Sequence, residues 1–174
     1  MRTLLAFLLL ALPAAAQEVA SGDAPPGAAA EVATDAQAPD ALAAAADPVA
    51  RWQADPGAVL EGAEVDLGAF QYVARPFVIF ADSPLQPQLA EQLRLLAADA
   101  AGLAGRDVAV IVDSDPEGAS ALRRELRPRG FGVVLLDKDG RVTLRRPAPL
   151  TAREVARAID RTPLRQEELR LQRS

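Results

Sequence analysis

The sequence predicts an α/β fold in which helices flank a mixed, four-stranded sheet. Three observations predict it: short apolar runs that end at turn residues, a helically spaced apolar stripe, and an Asp-Gly turn near the end. The first run, residues 77–81 (FVIFA), and the second, residues 108–112 (VAVIV), are continuous and therefore typical of buried strands. Two strands that are joined through a helix are expected to be parallel.

Two helices are predicted around the second strand. Before it, apolar residues recur every three or four positions, at Leu85, Leu89, Leu93, Leu96, Ala100 and Leu103. After it, Ser114-Asp115-Pro116-Glu117 combines helix-capping residues with a proline suited to a first turn. The inner face of that second helix would carry Ala119, Leu122 and Leu126.

A hairpin and a last helix are predicted to complete the domain. Residues 131–136 (FGVVLL) and 142–144 form strands on either side of the Asp139-Gly140 turn. Thr151 and Glu154 have the spacing of a capping box, so a helix should begin there. Its inner face would carry Ala152, Val155 and Ile159. The predicted order is therefore β-α-β-α-β-β-α, the plan of a thioredoxin-like domain.

The first sixteen residues predict a cleaved secretory signal. Arg2 precedes an apolar run at residues 4–12, and Pro13 then leads into the small residues 14–16. A membrane-spanning helix needs about 20 apolar residues, roughly twice this run. We therefore expect an exported protein, most simply periplasmic with the extracellular medium as the alternative, and with no membrane span once residues 1–16 are removed.

Residues 17–50 predict a disordered acidic linker ahead of the folded domain at residues 51–174, whose core spans about 67–162. The 34 linker residues include fourteen alanines, four prolines and six acids, with no aromatic or basic residue. So little large apolar surface cannot offset the entropy of ordering the chain. The segment is expected to be a solvated spacer, and an acidic interaction tail is the alternative.

The composition excludes several classes of chemistry. The 174 residues include no Cys and no His, so disulfides, thiol nucleophiles, imidazole bases and Cys or His metal ligands are all absent. We expect no metal and no cofactor. Residues 121–174 hold 14 basic and 7 acidic residues, but without interleaved aromatic residues we expect no nucleic-acid binding.

Three segments carry a resemblance to a known family. They are LGAFQYVARPFVIFADS, LRRELRPRGFGVVLLDKDGRVTLRRPAPL and AIDRTPLRQEE, within about 105 residues from Leu67 onward. They resemble a bacterial domain of unknown function that is shared with equarin and the sushi-repeat-containing extracellular proteins, and is sometimes called the DUDES domain. The resemblance implies a thioredoxin-like or peroxiredoxin-like fold in a small exported protein, and it supplies no catalytic residue.

The redox apparatus of thioredoxins is missing at both of its expected positions. Asp82-Ser83-Pro84-Leu85 lies where a redox member has Cys-x-x-Cys, at a helix N-terminus that stabilises a thiolate. Gly132, within Gly130-Phe131-Gly132, lies where such a member has a cis-proline. A dithiol oxidoreductase is therefore excluded, whereas these two loops remain candidates for binding.

The candidate binding residues are Asp82, Ser83, Arg123, Arg127, Arg129, Gly130 and Gly132. Asp82 and Ser83 could help to hold an anion, although capping the following helix is the simpler role. The arginines, with Arg124, Arg145 and Arg146 nearby, could bind carboxylate or phosphate, or could merely form a solvated face.

Two further groups have ordinary structural interpretations. Asp113, Asp115 and Glu117 could ligate Ca²⁺ or Mg²⁺, but helix capping is the expected role since no calcium-loop pattern surrounds them. Trp52, Phe70 and Tyr72 are expected to pack on the core.

Together these features predict a non-redox binding or accessory module of the cell envelope, with an envelope protein or an anionic ligand as partner. Two alternatives stay open: a carboxylate-based envelope hydrolase, and a structural or stress-related envelope protein without a discrete site.

Overall fold

The computed structural model describes residues 47–174, so the predicted signal segment and residues 17–46 of the predicted linker lie outside it. The strands are β1 Val59–Glu61, β2 Arg75–Phe80, β3 Val108–Asp113, β4 Gly132–Leu136 and β5 Val142–Arg146. The helices are α1 Pro48–Ala54, α2 Pro87–Ala97, α3 Ala100–Ala104, α4 Ala121–Leu126, α5 Ala152–Asp160 and α6 Pro163–Leu171. Short 3₁₀ turns lie at Gly62–Glu64 and Leu67–Phe70.

The strands form one mixed sheet in the order β1-β3-β2-β4-β5. β3 pairs in parallel with both β1 and β2, whereas β4 is antiparallel to β2 and to β5. This arrangement confirms the predicted thioredoxin-like α/β class. The sheet has five strands rather than the predicted four, because β1 has only three residues and a single buried side chain, Leu60, and so leaves no pattern in the sequence.

Two hydrophobic layers cover the sheet, one on each face. α2, α3 and α5 cover one face, where Leu96, Leu103 and Ile159 pack against β2, β3 and β4. α1 and α4 cover the other, where Trp52 and Leu122 lie in the same buried cluster. β2 is buried on both faces, as its uninterrupted apolar run predicts.

The two helices that were predicted before and after β3 have other bounds in the structure. The helix predicted from Leu85 to Leu103 is two helices, because Asp99 interrupts it and its carboxylate accepts the Gly102 N–H at 3.1 Å. Leu85 precedes α2 and is 90% exposed, so it is not part of the buried stripe. The second helix begins only after Ser120, whose hydroxyl accepts the Arg123 N–H at 3.1 Å.

The last unit follows the prediction closely. Thr151 and Glu154 form the capping box, and Ala152, Val155 and Ile159 are buried. The charged residues that follow α5 form a further helix, α6. Of the three aromatic residues expected to pack on the core, Trp52 and Phe70 are buried, but Tyr72 is 72% exposed in a turn at φ +60°.

An ion cluster fastens α6 to the amino-terminal ends of β2 and β3. We call it the basal ion cluster; its four cations and four carboxylates are Arg75, Arg106, Lys138, Arg165, Asp107, Asp137, Asp160 and Glu168. At its centre the fully buried Arg75 donates to Asp137 (2.8 Å), to Glu168 (2.9 Å) and to the Arg106 carbonyl (3.0 Å). A buried guanidinium needs such partners because an unpaired charge is very costly away from water.

Within residues 47–174, no helix has the length and apolar character needed to cross a bilayer.

Candidate functional site

The two loops that replace the redox apparatus lie side by side at the carboxyl-terminal end of β2. Gly132 pairs with Phe80 across the antiparallel β4–β2 ladder. At Gly130, a Cβ atom would lie 3.6 Å from the Asp82 Oδ2 atom. Gly130 has φ +65°, a left-handed conformation that glycine adopts without steric cost. The structure therefore brings Asp82, Gly130 and Gly132 together, as the predicted topology requires.

The expected capping role of Asp82 and Ser83 is wrong. α2 begins at Pro87, after Gln86, because Pro84 and Pro87 keep the chain in a turn for several residues. Within that turn, the Gln86 side-chain oxygen accepts the Asp82 N–H at 2.8 Å and the Ser83 hydroxyl accepts the Leu85 N–H at 3.2 Å. The polar groups of the 82–86 loop therefore stabilise the loop itself.

Arg123 is committed to contacts within the fold and is not part of an exposed basic surface. Its Nε donates to Asp113 at 2.7 Å, and its Nη2 donates to the carbonyls of Ala81 (2.7 Å) and Asp113 (3.0 Å). The guanidinium also lies 5.5 Å from the centre of the Phe80 ring. Arg123 thus joins the ends of β2 and β3 to α4, and its side chain is only 12% exposed.

The carboxylates near the end of β3 are similarly occupied. Asp113 accepts the Ser120 hydroxyl as well as Arg123, so it fastens α4 rather than capping a helix. Asp115 accepts the N–H groups of Glu117 and Gly118, both at 3.0 Å, and so closes a turn. In the part of the chain that the structure describes, no group of three or more acidic side chains is placed to hold a metal ion.

Four of the other five arginines surround a cavity of about 410 Å³ beside these loops, and Arg124 lies outside it. We call it the arginine pocket: Arg127, Arg129, Arg145 and Arg146 around a floor of Phe80, Pro128, Phe131, Gly132, Val133, Val134 and Pro147. Two elements supply the arginines, the segment that follows α4 and the edge strand β5. Arg145 and Arg146 reach the pocket because they lie opposite Val134 and Val133 in the β4–β5 ladder.

The arginine pocket has an unbalanced positive charge within the described residues. Arg145 donates to the Leu126 carbonyl at 2.7 Å, which terminates α4, and Arg146 donates to the Arg145 carbonyl at 3.1 Å. Arg127 itself caps α4 in a left-handed conformation, with its N–H donating to the Arg123 carbonyl at 3.0 Å. Among residues 47–174, none of these four arginines has a carboxylate within ion-pair distance.

The structure thus divides the predicted site residues. Arg127, Arg129 and Gly132 line the arginine pocket, Gly130 and Asp82 lie at the neighbouring loops, and Ser83 and Arg123 are outside the lining. Arg145 and Arg146 complete the pocket, although the sequence predicted only that they would lie near the other arginines. The signal that places them is the hairpin register, which the sequence does not reveal because a bulge at Leu135/Leu136 shifts the pairing.

A family model described as a domain of unknown function (DUF4174) matches residues 66–168. The chain belongs to the DUF4174 family. The DUF4174 region includes the 82–86 loop, the arginine pocket and most of α6. No curated protein matches the chain.

The DUF4174 domain is similar to several solved structures of thioredoxin-like proteins. Chloroplastic thioredoxin z is 23% identical over 49% of this chain and 75% of its own, with a TM-score of 0.39. A 2-Cys peroxiredoxin of Plasmodium vivax is 12% identical over 60% and 85%, with a TM-score of 0.48. Desulfothioredoxin from Desulfovibrio vulgaris Hildenborough is 22% identical over 57% and 93%, with a TM-score of 0.42. The fold itself is established by the strand order and pairing of this chain.

Proposed function

We propose that this DUF4174 chain is a non-redox, thioredoxin-like binding module that holds an anion with an apolar group in the arginine pocket. The observation that supports the proposal is the pocket itself: four arginines around an apolar floor, with no carboxylate partner among residues 47–174. The arginines would bind the charge, and Phe80, Phe131 and the valines of β4 would cover the apolar part.

The chemistry of arginine favours this ligand class. A guanidinium keeps its charge at every physiological pH and presents a planar fork of donors that matches carboxylate, sulfonate or phosphate oxygens. Four such groups around one cavity raise the local concentration of anions, since the potentials of neighbouring charges add. Because the floor is apolar, a ligand that buries hydrocarbon there gains free energy that a small inorganic anion cannot.

We further propose that the module acts in the cell envelope, most simply in the periplasm. The support is the signal pattern of residues 1–16 and the resemblance of the domain to the DUDES-type family of exported bacterial and extracellular animal proteins. An envelope protein that presents an acidic and apolar segment is one partner of the proposed kind, and a small anionic molecule is another.

The two alternatives gain no further support from the described cavities. A cavity of about 650 Å³ includes Asp137 and Asp139 in its lining, but Asp137 is committed to the buried Arg75. A second acidic cavity, of about 70 Å³, is lined by Glu61, Asp113 and Asp115, but Asp113 is committed to Arg123 and Ser120, and Asp115 accepts two backbone N–H groups of its own turn. A hydrolase with two carboxylates available for acid and base roles therefore has no supporting observation here.

The proposal is tested with two matched probes, naphthalene sulfonate and the uncharged naphthalene methanol, titrated while backbone amide shifts are followed by NMR. We expect the sulfonate to shift the amides of Phe131–Val134 and Arg145–Arg146, and the alcohol to bind at least about fivefold more weakly, since a charge-assisted hydrogen bond is worth about 1.5–3 kcal/mol.

The variant Arg129→Gln with Arg146→Gln should weaken sulfonate binding by about tenfold, because it removes two of the four charges. Arg153→Gln with Arg173→Gln is the matched control, since it removes the same charge from two exposed residues that lie outside the pocket. Equal affinities for both probes, or an equal loss in the control, would refute the proposed site.

A further inference from the structure

The strand β5 lies at one edge of the sheet, and its outer edge is open among the described residues. It ends the strand order β1-β3-β2-β4-β5, so only one of its edges pairs with another strand. Apart from that pairing, the backbone of residues 142–146 has one hydrogen-bond partner within residues 47–174: the Arg146 side chain, which donates to the Arg145 carbonyl at 3.1 Å. An edge with unpaired N–H and C=O groups is a template on which a further strand can form.

A groove follows this edge between β5 and α5. Two adjoining cavities form it, of about 650 Å³ and about 260 Å³, and Leu144, Ala158 and Arg161 line both. We call it the β5–α5 groove. Its length is roughly 14–17 Å, the length of the five residues of β5 or of the nine residues of α5. An extended segment of about five residues therefore fits along it.

The helix α5 presents a second stripe of residues to this groove, beside its buried face. The spacing of Arg157, Ala158 and Arg161, at steps of one and three positions, places them on one side of the helix and its end. Between this stripe and β5 the lining is largely apolar. Its apolar residues are Leu144, Leu150, Ala158, Pro163 and Leu164.

The cations of the groove favour an acidic occupant. Among residues 47–174, Arg146, Arg157 and Arg161 have no carboxylate within ion-pair distance. All three are exposed, and neither Arg157 nor Arg161 donates a side-chain hydrogen bond to another described residue. Their charges are therefore available to a partner.

The three acids of the lining are already engaged. Asp137 belongs to the basal ion cluster, and Asp139 accepts the Arg141 N–H at 3.0 Å in the turn before β5. Glu154 closes the capping box of α5. The hydrogen bonds from Thr151 lower the pKa of Glu154, and the charge of Arg157 adds to this effect from beyond ion-pair distance. These acids thus leave the groove with an excess of positive charge.

We propose that an extended acidic segment of a partner protein adds to β5 as a further strand and lies in the β5–α5 groove. Its backbone pairs with the outer edge of β5, its apolar side chains cover the floor, and its carboxylates bind Arg157 and Arg161. A second copy of β5 is a poorer occupant, because Arg145 and Arg146 of the two strands would meet as like charges. This inference is separate from the proposed function, since the groove and the arginine pocket share only Arg146 in their linings.

The first experiment locates a peptide of this chemistry on the full chain. The probe is Glu-Val-Glu-Val-Glu-Val-Glu with both ends capped, titrated while backbone amide shifts are followed by NMR. We expect the largest shifts at the amides of Val142–Leu144 and Arg157–Arg161, which lie along the groove and outside the arginine pocket. The matched peptide with lysine for each glutamate should bind at least about tenfold more weakly, because its charges repel the arginines. Shifts confined to Phe131–Val134 would place the peptide in the arginine pocket and overturn this inference.

Backbone pairing is tested separately with N-methylated peptides. Successive N–H groups of a strand point to opposite edges, so methylating the valines removes the donors of one edge and methylating the glutamates removes those of the other. An added strand pairs through one edge only. We therefore expect one methylated peptide to bind at least about tenfold more weakly than the parent, and the other to bind nearly as well. Equal affinities of the two methylated peptides would exclude strand addition.

A pair of substitutions tests the arginines of the groove. Arg157→Gln with Arg161→Gln should weaken binding of the glutamate peptide at least about fivefold, because it removes both cations of the α5 stripe. Arg153→Gln with Arg173→Gln is the matched control, since it removes the same charge from two exposed residues outside the groove. An equal loss in the control would assign the binding to net charge and refute the site.

The outcomes distinguish this inference from the proposed function. Arg157→Gln with Arg161→Gln should keep the native affinity for naphthalene sulfonate, because neither residue lines the arginine pocket. Sulfonate binding without peptide binding would overturn the inference alone, whereas peptide shifts along β5 without sulfonate binding would overturn the proposed function alone. A chain that sediments as a dimer, with the amides of β5 protected from exchange before peptide is added, would show that a second copy covers the edge and would overturn the acidic partner.

Discussion

Replacing Glu168 with glutamine tests whether the basal ion cluster holds α6 on the sheet. The two oxygens of Glu168 accept from three cations: Arg75 at 2.9 Å, Arg165 at 3.0 Å and Lys138 at 3.2 Å. Burial opposes ionisation of this carboxyl, but the hydrogen bonds from Arg75, Arg165 and Lys138 outweigh it and lower the pKa of Glu168 from 4.5 to about 2.

The size of the pKa depression sets the expected loss of stability. Each pKa unit corresponds to 1.36 kcal/mol, so the ionised Glu168 stabilises the fold by about 3 kcal/mol at neutral pH. The side chain is 25% exposed, so screening by water reduces this figure to about 2 kcal/mol. Glutamine keeps the shape and loses the charge, so Glu168→Gln should lower the melting temperature by roughly 6–10 °C in a domain of this size.

The stability should also depend on pH in a definite direction. The folded pKa lies below the unfolded one, so in acid the unfolded chain binds a proton more readily than the folded chain does. The contribution of Glu168 is therefore complete above about pH 5 and is lost as the pH falls toward 2. Glu168→Gln should remove the largest part of this dependence. Smaller parts remain from Asp160, whose pKa the Arg106 guanidinium lowers, and from Glu154, whose pKa the hydrogen bond from Thr151 lowers.

Thermal unfolding gives the melting temperature and urea unfolding gives the free energy of unfolding. Both are monitored by the fluorescence of Trp52, the single tryptophan, which is buried against the sheet. Glu167→Gln is the matched control because Glu167 is next in sequence and its ion-pair partner among residues 47–174 is the exposed Arg170. Its variant should lose at most about 0.5 kcal/mol. Equal losses of stability in the two variants, or an acid unfolding curve of Glu168→Gln that matches the native chain, would contradict this role of Glu168.

Two further substitutions test the packing around the site by the same assay. Gln92→Leu should lower the free energy of unfolding by about 2–3 kcal/mol, because the fully buried Gln92 amide forms hydrogen bonds with both backbone groups of Leu150 at 2.8 Å. The exposed Gln88→Leu is the control and should leave the free energy of unfolding nearly unchanged. Gly62→Ala should lower the free energy of unfolding by about 1–3 kcal/mol, because the new Cβ would lie 2.7 Å from the Cβ of Asp113. An unchanged urea midpoint would show that the 3₁₀ turn can move away.

The elements that sequence predicts well are those whose pattern is local. The runs of β2 and β3 are buried on both faces, and the capping box at Thr151 depends on two residues three positions apart. The start of α4 was predicted less well, because Ser114 and Ser120 are both good caps and only packing decides between them. Ser120 is the cap because its hydroxyl also donates to Asp113, a contact across the end of β3 that no local pattern reveals.

Only part of the candidate site could be predicted, because the rest of it also depends on packing. Topology alone brings the loop of Asp82 beside Gly130, since β2 and β4 are neighbours in any sheet of this order. The separate roles of Arg123 and Arg127 were not predictable, although four residues separate them in sequence. Arg123 faces the core side of α4 and meets a carboxylate, whereas Arg127 follows the helix in a left-handed turn and borders the cavity.

The charged groups at the two ends of the sheet differ in their balance. Those of the basal ion cluster are paired, whereas those of the arginine pocket are all positive. At the basal end, four cations meet four carboxylates, and the most buried of them, Arg75, has three partners. Such a balanced cluster presents little net field to a ligand and is explained by its contribution to folding. At the other end, four arginines lie together without a described carboxylate, an arrangement that repulsion between like charges makes costly for the isolated domain. Arg145 contributes to folding through its hydrogen bond to the Leu126 carbonyl, whereas the charges of Arg129 and Arg146 would be explained by the anion that we propose, because it would relieve the repulsion.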